Sequence, residues 1–132
     1  MTQEEEKNLL LKDLCTRLPY GVRYRHFTWN DEYGETYIAA QIYSINTDGY
    51  VKNCHDDETV YIDNVRPYLF PLSSMTEEQK KEYQYITERW MNDPVYSISD
   101  SIDWLNKNHF DYRGLIEKGL ALEAPKEMYK TE

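Results

Sequence analysis

The densest run of side chains able to hold a metal ion is Cys54-His55-Asp56-Asp57-Glu58, where a thiol, an imidazole and three carboxylates follow one another. Adjacent residues rarely converge on one ion without an imposed loop geometry, and neither an EF-hand spacing nor a His-Glu-x-x-His helix is present. The run therefore reads as a solvated loop, with His55, Asp56 and Asp57 as weak ligand candidates, and no cofactor is expected. Cys54 beside His55 has the thiol and base of a nucleophilic pair, but nothing marks an orienting acid or an oxyanion hole. Cys15 lies on the polar side of a leucine stripe. A metal-dependent enzyme at Cys54 to Glu58 ranks third among the functional readings, and the chain is expected not to be an enzyme.

Arg17, Arg23, Arg25, Lys52 and Arg66 form the basic concentration of the chain, interleaved with Tyr24, His26 and Trp29. On a strand of period two, Arg23 and Arg25 share a face with Phe27 and Trp29, the mixture of cations and stacking surfaces that single-stranded nucleic acid uses. The same mixture also suits the outer face of a sheet whose guanidiniums pair with acids. Tyrosine is abundant, 13 residues against 3 phenylalanines. Tyr37, Tyr43, Tyr61, Tyr83 and Tyr85 read as half-buried residues of strands and helices. Tyr20, Tyr24, Tyr33, Tyr50 and Tyr68, near turns, are the ones a protein-binding patch would draw on, since tyrosine combines contact area with a hydroxyl.

Towards the C-terminus, Asp111-Tyr112-Arg113 invites a reading as an anion clamp beside His109. Arg113 is spaced for an ion pair with Asp111 or Glu117, and His109 for a helix C-terminal cap, so structural roles are expected. Trp104, Leu105, Phe110, Leu115, Ile116, Leu120 and Leu122 are expected in the core.

The elements that must position these residues follow from period and punctuation. Leu9, Leu10, Leu14 and Leu18 give residues 4–18 a helical stripe, which Pro19 and Gly21 stop. Residues 22–29, 35–45, 50–54 and 59–63 read as an antiparallel meander, with turns at Asn30–Gly34 and Asn46–Gly49. Pro67 and Pro71 remove ladder donors from the next segment, which is expected to be an edge or a covering strap. Thr76-Glu-Glu-Gln79 is a capping box that opens a helix over about residues 77–89, with Tyr83, Ile86 and Trp90 on one face. Ser97 or Ser99 is spaced to cap a further helix bearing Ile98, Ile102 and Leu105, and a shorter helical turn is expected from about 109 to 118. The expected fold is α+β in one domain over 1–132. An N-terminal helix and a four- to five-stranded antiparallel sheet, curled towards a small SH3-like barrel, fill residues 1–72, and C-terminal helices from 73–132 pack on the sheet.

At 132 residues a domain buries roughly two thirds of the surface of its unfolded chain, so no disulfide staple is needed. The formal charge is −9, and it is spread along the chain, which disfavours sequence-independent phosphate binding and favours solubility. Two cysteines without metal spacing, a polar acidic start and the lack of a long apolar run point to a cytoplasmic protein with no membrane partner.

Pro67-Tyr-Leu-x-Pro71 with Ser73-Ser-Met-Thr-Glu-Glu78 carries one half of a resemblance. Trp104-Leu-Asn-x-x-His-Phe-Asp-Tyr-Arg-Gly-Leu-Ile116 carries the other, with Gly119-Leu-Ala-Leu-Glu-Ala124 and Met128-Tyr129. Together these phrases resemble a family of small uncharacterised proteins of gut anaerobic bacteria and their phages and mobile elements. The resemblance covers about residues 9–22 and 60–130 and implies no catalytic residue. The expectation is a non-enzymatic module that binds another protein, set in a phage or mobile-element context by the resemblance alone. The alternative is single-stranded nucleic-acid binding through the arginine and aromatic face.

Overall fold

The computed structural model describes residues 1–32, 34–56, 58–93 and 98–130, and of Asn30 and Trp90 the backbone only. Helix α1 (Gln3–Arg17) starts at Thr2, whose hydroxyl accepts from the Glu5 amide, with Glu4, Glu5 and Glu6 at the positive end of the helix dipole. Its inner face is Leu10, Asp13, Leu14 and Arg17, a stripe at i, i+3, i+4 and i+7 that includes two charged residues.

The chain then builds an antiparallel sheet from β1 (Arg23–Asn30), β2 (Gly34–Ile45), β3 (Tyr50–Asn53) and β4 (Thr59–Tyr61), paired in that order and curled into a half-barrel. Tyr24, Ala40, Ile42 and Val51 point inward and are buried with Leu10 and Leu14 of α1 and with Ile62, Val65 and Leu69. Each fully buried aliphatic side chain of this set contributes about 1.5–3 kcal/mol. The β2–β3 turn depends on Gly49 at φ 92°, since a side chain there would meet Ile62 Cγ2 and Lys7 Cε at 3.2 Å. Asn46 Oδ1 completes the turn by accepting from the amides of Asp48 and Tyr50.

Strand β5 (Tyr68–Pro71) corrects the expectation of an edge or strap. It is the middle strand of a second sheet, flanked in parallel by β6 (Phe110–Asp111) and β7 (Leu122–Glu123). Proline lacks only its donor, and this ladder draws on the carbonyls of Pro67 and Leu69, which accept from Leu122 and Ala124, and on the Phe70 amide, which donates to His109. A single bridge between Tyr24 and Pro67 ties the two sheets together.

Helix α2 (Glu77–Asn92) has both bonds of its capping box, Thr76 Oγ1 to the Gln79 amide and Gln79 Oε1 to the Thr76 amide. Tyr83 and Ile86 pack it on a small second core of Trp104, Leu105 and Phe110. The Trp90 side chain and Ser97 lie outside the description. Helix α3 (Ser99–Lys107) follows Ile98 with no side-chain cap there, so Ser99 opens the helix instead of capping it. Ile98 is exposed, in contrast to its expected place on the apolar face.

The segment expected as a helical turn from 109 is β6 followed by turns. His109 has φ 63°, which breaks the helix, and Asp111 then accepts from the amides of Leu115 and Ile116 at 2.9 Å each. Arg113 pairs with neither Asp111 nor Glu117; its Nε donates to Asp13 on α1 at 3.1 Å. Leu115 and Leu120 are in the core as expected, while Leu122 is half-buried.

Candidate functional site

Residue alternation on β1 separates two chemistries. Tyr24 and His26 turn inward and are buried, while Arg25, Phe27 and Trp29 turn outward. The register sets Phe27 opposite Tyr37 and Trp29 opposite Glu35 on β2. The result is a cluster of exposed rings, with Phe27 45%, Tyr37 58% and Trp29 65% accessible. Phe27 meets Tyr37 edge-on at 5.8 Å between centroids, and the Arg25 guanidinium lies over the Tyr37 ring at 4.9 Å. These contacts bias the Phe27, Tyr37 and Arg25 side chains towards one arrangement, which lowers the entropy lost when they are covered.

β1 is also the outer strand of its sheet. The Arg25 amide donates away from β2, to the Arg66 carbonyl at 3.2 Å. In an antiparallel strand alternate residues direct their amides and carbonyls the same way, so those of Phe27 and Trp29 also face outward. Beyond Arg25 no backbone group among the described residues meets them. An open backbone edge and three exposed rings thus coincide on the outer half of one strand.

The expected basic patch is only partly assembled. Arg17 is fully buried, its Nε donating to Asp13 at 2.8 Å and one Nη to the Phe110 carbonyl at 2.7 Å, and so leaves the surface. Tyr24 is likewise buried and cannot contact a partner. Arg66 is half-buried against α1, in a small cleft shared with Glu6, Lys7 and Asp63. Arg23 is half-buried at the start of β1, its amide held by the Tyr129 hydroxyl at 2.8 Å. Tyr68 is half-buried on β5, and Tyr50 is exposed but set edge-on to Tyr61 at 5.2 Å. Lys52 is exposed on β3, and Tyr33 lies outside the described residues. Arg25 and Trp29 therefore keep the exposure expected of them. Phe27, Tyr37 and the exposed Tyr43 take the place of the buried tyrosine. Sequence reasoning assigned Tyr37 and Tyr43 to half-buried faces; the parity of β2 relative to β1 was the missing signal.

The loop after β3 supplies different ligands from those expected. His55 is exposed, Asp57 is outside the described residues, and Asp56 and Glu58 gather with His26 of β1, their nearest ligand atoms all within 4.8 Å. Asn53 Nδ2 donates to the Tyr24 hydroxyl at 3.0 Å, which lies 3.0 Å from His26 Nδ1. His26 Nε2 lies 3.0 Å from Asp56 Oδ2 and 3.7 Å from Glu58. Because the Asn53 amide can only donate, the tyrosine proton goes to Nδ1, and Nε2 keeps the proton that meets Asp56. The Glu58 amide, His26 and Asn53 hold the Asp56 carboxyl down to about 2. His26, Asp56 and Glu58 are the described residues that could hold a divalent ion, which would have to replace the Nε2 proton. Cys54 and Cys15 are exposed free thiols, and desolvation pushes the Cys15 thiol up, away from the thiolate.

Compared with family models, curated proteins and solved structures, the chain matches none.

Proposed function

We propose that this chain is a non-enzymatic binding module whose outer β1–β2 face takes up an extended segment of a partner protein. The observation that supports this reading is the coincidence of Phe27, Trp29 and Tyr37 with the open edge beyond Arg25. A segment added along that edge meets the outward amides and carbonyls of Phe27 and Trp29, while its alternate side chains rest on the rings. An exposed aromatic edge of this kind invites self-association, which a bound partner strand prevents. Arg25 at one end, with Asp31 and Glu35 towards the hairpin tip, favours a segment acidic at one end and basic at the other.

Single-stranded nucleic acid is the second reading, supported by Arg25 stacked on Tyr37. With Arg17 buried and the net charge −9, few cations remain to follow a phosphate backbone. The phage or mobile-element setting rests on the resemblance of the C-terminal phrases, and a cytoplasmic location on the sequence features given above. No helix among the described residues is long and apolar enough to cross a membrane.

The test is site-specific photo-crosslinking in the source cells, with the crosslinker at Phe27 or, as a control, at the exposed Tyr85 of α2. A protein adduct formed at Phe27, absent at Tyr85 and lost with Trp29→Ser supports the reading. Equal labelling at both positions sinks it. An oligonucleotide adduct lost with Arg25→Ala would replace it with the nucleic-acid reading.

A further inference from the structure

The parallel sheet and the first turn of α2 enclose a cleft of about 600 Å³, separate from the β1–β2 face. Its apolar lining includes Phe70 and Phe110, and His109 stacks on Tyr129 in the same wall at 3.6 Å and 14°. Lys107, Lys126 and Lys130 line it together with a single acid, Glu123. In a chain of net charge −9 this is a local excess of positive charge. Lys130 donates to Glu127 at 3.1 Å, whereas Lys107 and Lys126 have no partner among the described residues. Thr76 and Gln79 of the α2 capping box complete the polar part of the lining.

His109 ends α3 and carries one cost there. Its φ of 63° is the only positive one among the described non-glycine residues, and its side chain is buried, with 6% of the residue accessible and no partner for Nδ1. The positive φ follows from its place just after the end of α3, whereas an unpaired buried nitrogen is unfavourable and tends to persist at sites of function. Burial, helped by the charges of Arg17 and Arg23, lowers the imidazole to about 4, so the ring is neutral near pH 7. A buried N–H without an acceptor is the costlier of the two choices, so the proton sits on Nε2 and leaves a bare Nδ1. Nε2–H is then the donor that His109 offers to the cleft it lines.

We propose that this cleft binds a small organic anion, its charged group at Lys107 and Lys126 and its flat apolar body against Phe70 and the edge of the His109–Tyr129 stack. The size suits a molecule of one or two fused rings carrying a carboxylate, phosphate or sulfonate.

Titration of the full chain with naphthalene-2-sulfonate, followed by calorimetry and by amide chemical shifts, tests this. Binding is expected to shift the amides of Phe70, His109 and Phe110. Inorganic phosphate and uncharged 2-naphthol are each expected to bind at least about tenfold more weakly. The double variant Lys107→Glu/Lys126→Glu, at two exposed positions, is expected to bind at least about tenfold more weakly with an unchanged circular dichroism spectrum. Equal affinity of the double variant, equal affinity for 2-naphthol, or shifts confined to residues outside the cleft would overturn the proposal.

Discussion

Arg17 lies 2.8 Å from Asp13 with neither side chain reaching solvent, and Arg113 approaches the same carboxylate from the far end of the chain at 3.1 Å. One buried anion thus serves two guanidiniums and joins α1 to the segment after β6. Asp13→Asn removes the countercharge and leaves Arg17 buried, which costs about 3–5 kcal/mol. Replacing all three by apolar residues of similar volume is expected to cost far less. Urea unfolding of the single and triple variants measures the difference.

Asp111 accepts two backbone amides, one on each carboxylate oxygen. Asp111→Ala is expected to destabilise by about 1–3 kcal/mol because the buried Leu115 amide and the half-buried Ile116 amide both lose their acceptor. Asp111→Asn keeps one acceptor and should lose roughly half of that, as read by thermal unfolding.

The imidazole of His109 titrates near 4 when folded and near 6.5 when unfolded. Its folded value is lowered, so between these limits the unfolded chain holds the extra proton and stability falls as the pH falls. The slope is at most about 1.4 kcal/mol per pH unit and disappears below about 4. His109→Asn, which tolerates the positive φ, is expected to flatten the pH 4 to 6.5 part of the stability curve relative to the native chain.

Asp56 has the same sign in a more acidic window. With its folded value near 2 against an ordinary 3.8, its contribution is complete above about pH 4 and is lost as the pH falls towards 2. Asp56→Asn is expected to be less stable than the native chain at pH 6 and equally stable near pH 2. Amide exchange of Asn53 and Glu58 in the two proteins reads the same loss locally.

Gly49 combines φ 92° with two side-chain atoms 3.2 Å from where a Cβ would sit. Gly49→Ala is expected to destabilise by about 1–2 kcal/mol, without altering the β1–β2 face.

Much of this architecture is legible in the sequence, and the exceptions share a cause. The α1 stripe, the capping box at Thr76 and Gln79 and the alternation in β1 and β2 are local signals, and the structure has all of them. β6 and β7 are two residues each, too short to show a period, so the parallel sheet is invisible before folding. Arg17 reads as a surface cation because its burial depends on the Phe110 carbonyl, 93 positions away. His26 and Asp56 lie 30 positions apart, and each looks ordinary alone. Within the β1–β2 face, Trp29 and Arg25 are legible from their type and parity, whereas Tyr37 needs the pairing with Phe27.

The position of β5 also sets an order of events in time. Both of its neighbours, at residues 110–111 and 122–123, come later in the chain, so a nascent polypeptide that has emerged only as far as residue 72 has the four strands of the half-barrel but no partner for β5. Until synthesis supplies them, the Phe70 amide and the Pro67 and Leu69 carbonyls stay in water. The surface that displays Phe27 and Trp29 can form early, while the closure that buries Leu69 waits for the last quarter of the sequence. Long loops must close before those contacts form, an entropic cost that the short β1–β2 and β2–β3 hairpins do not carry.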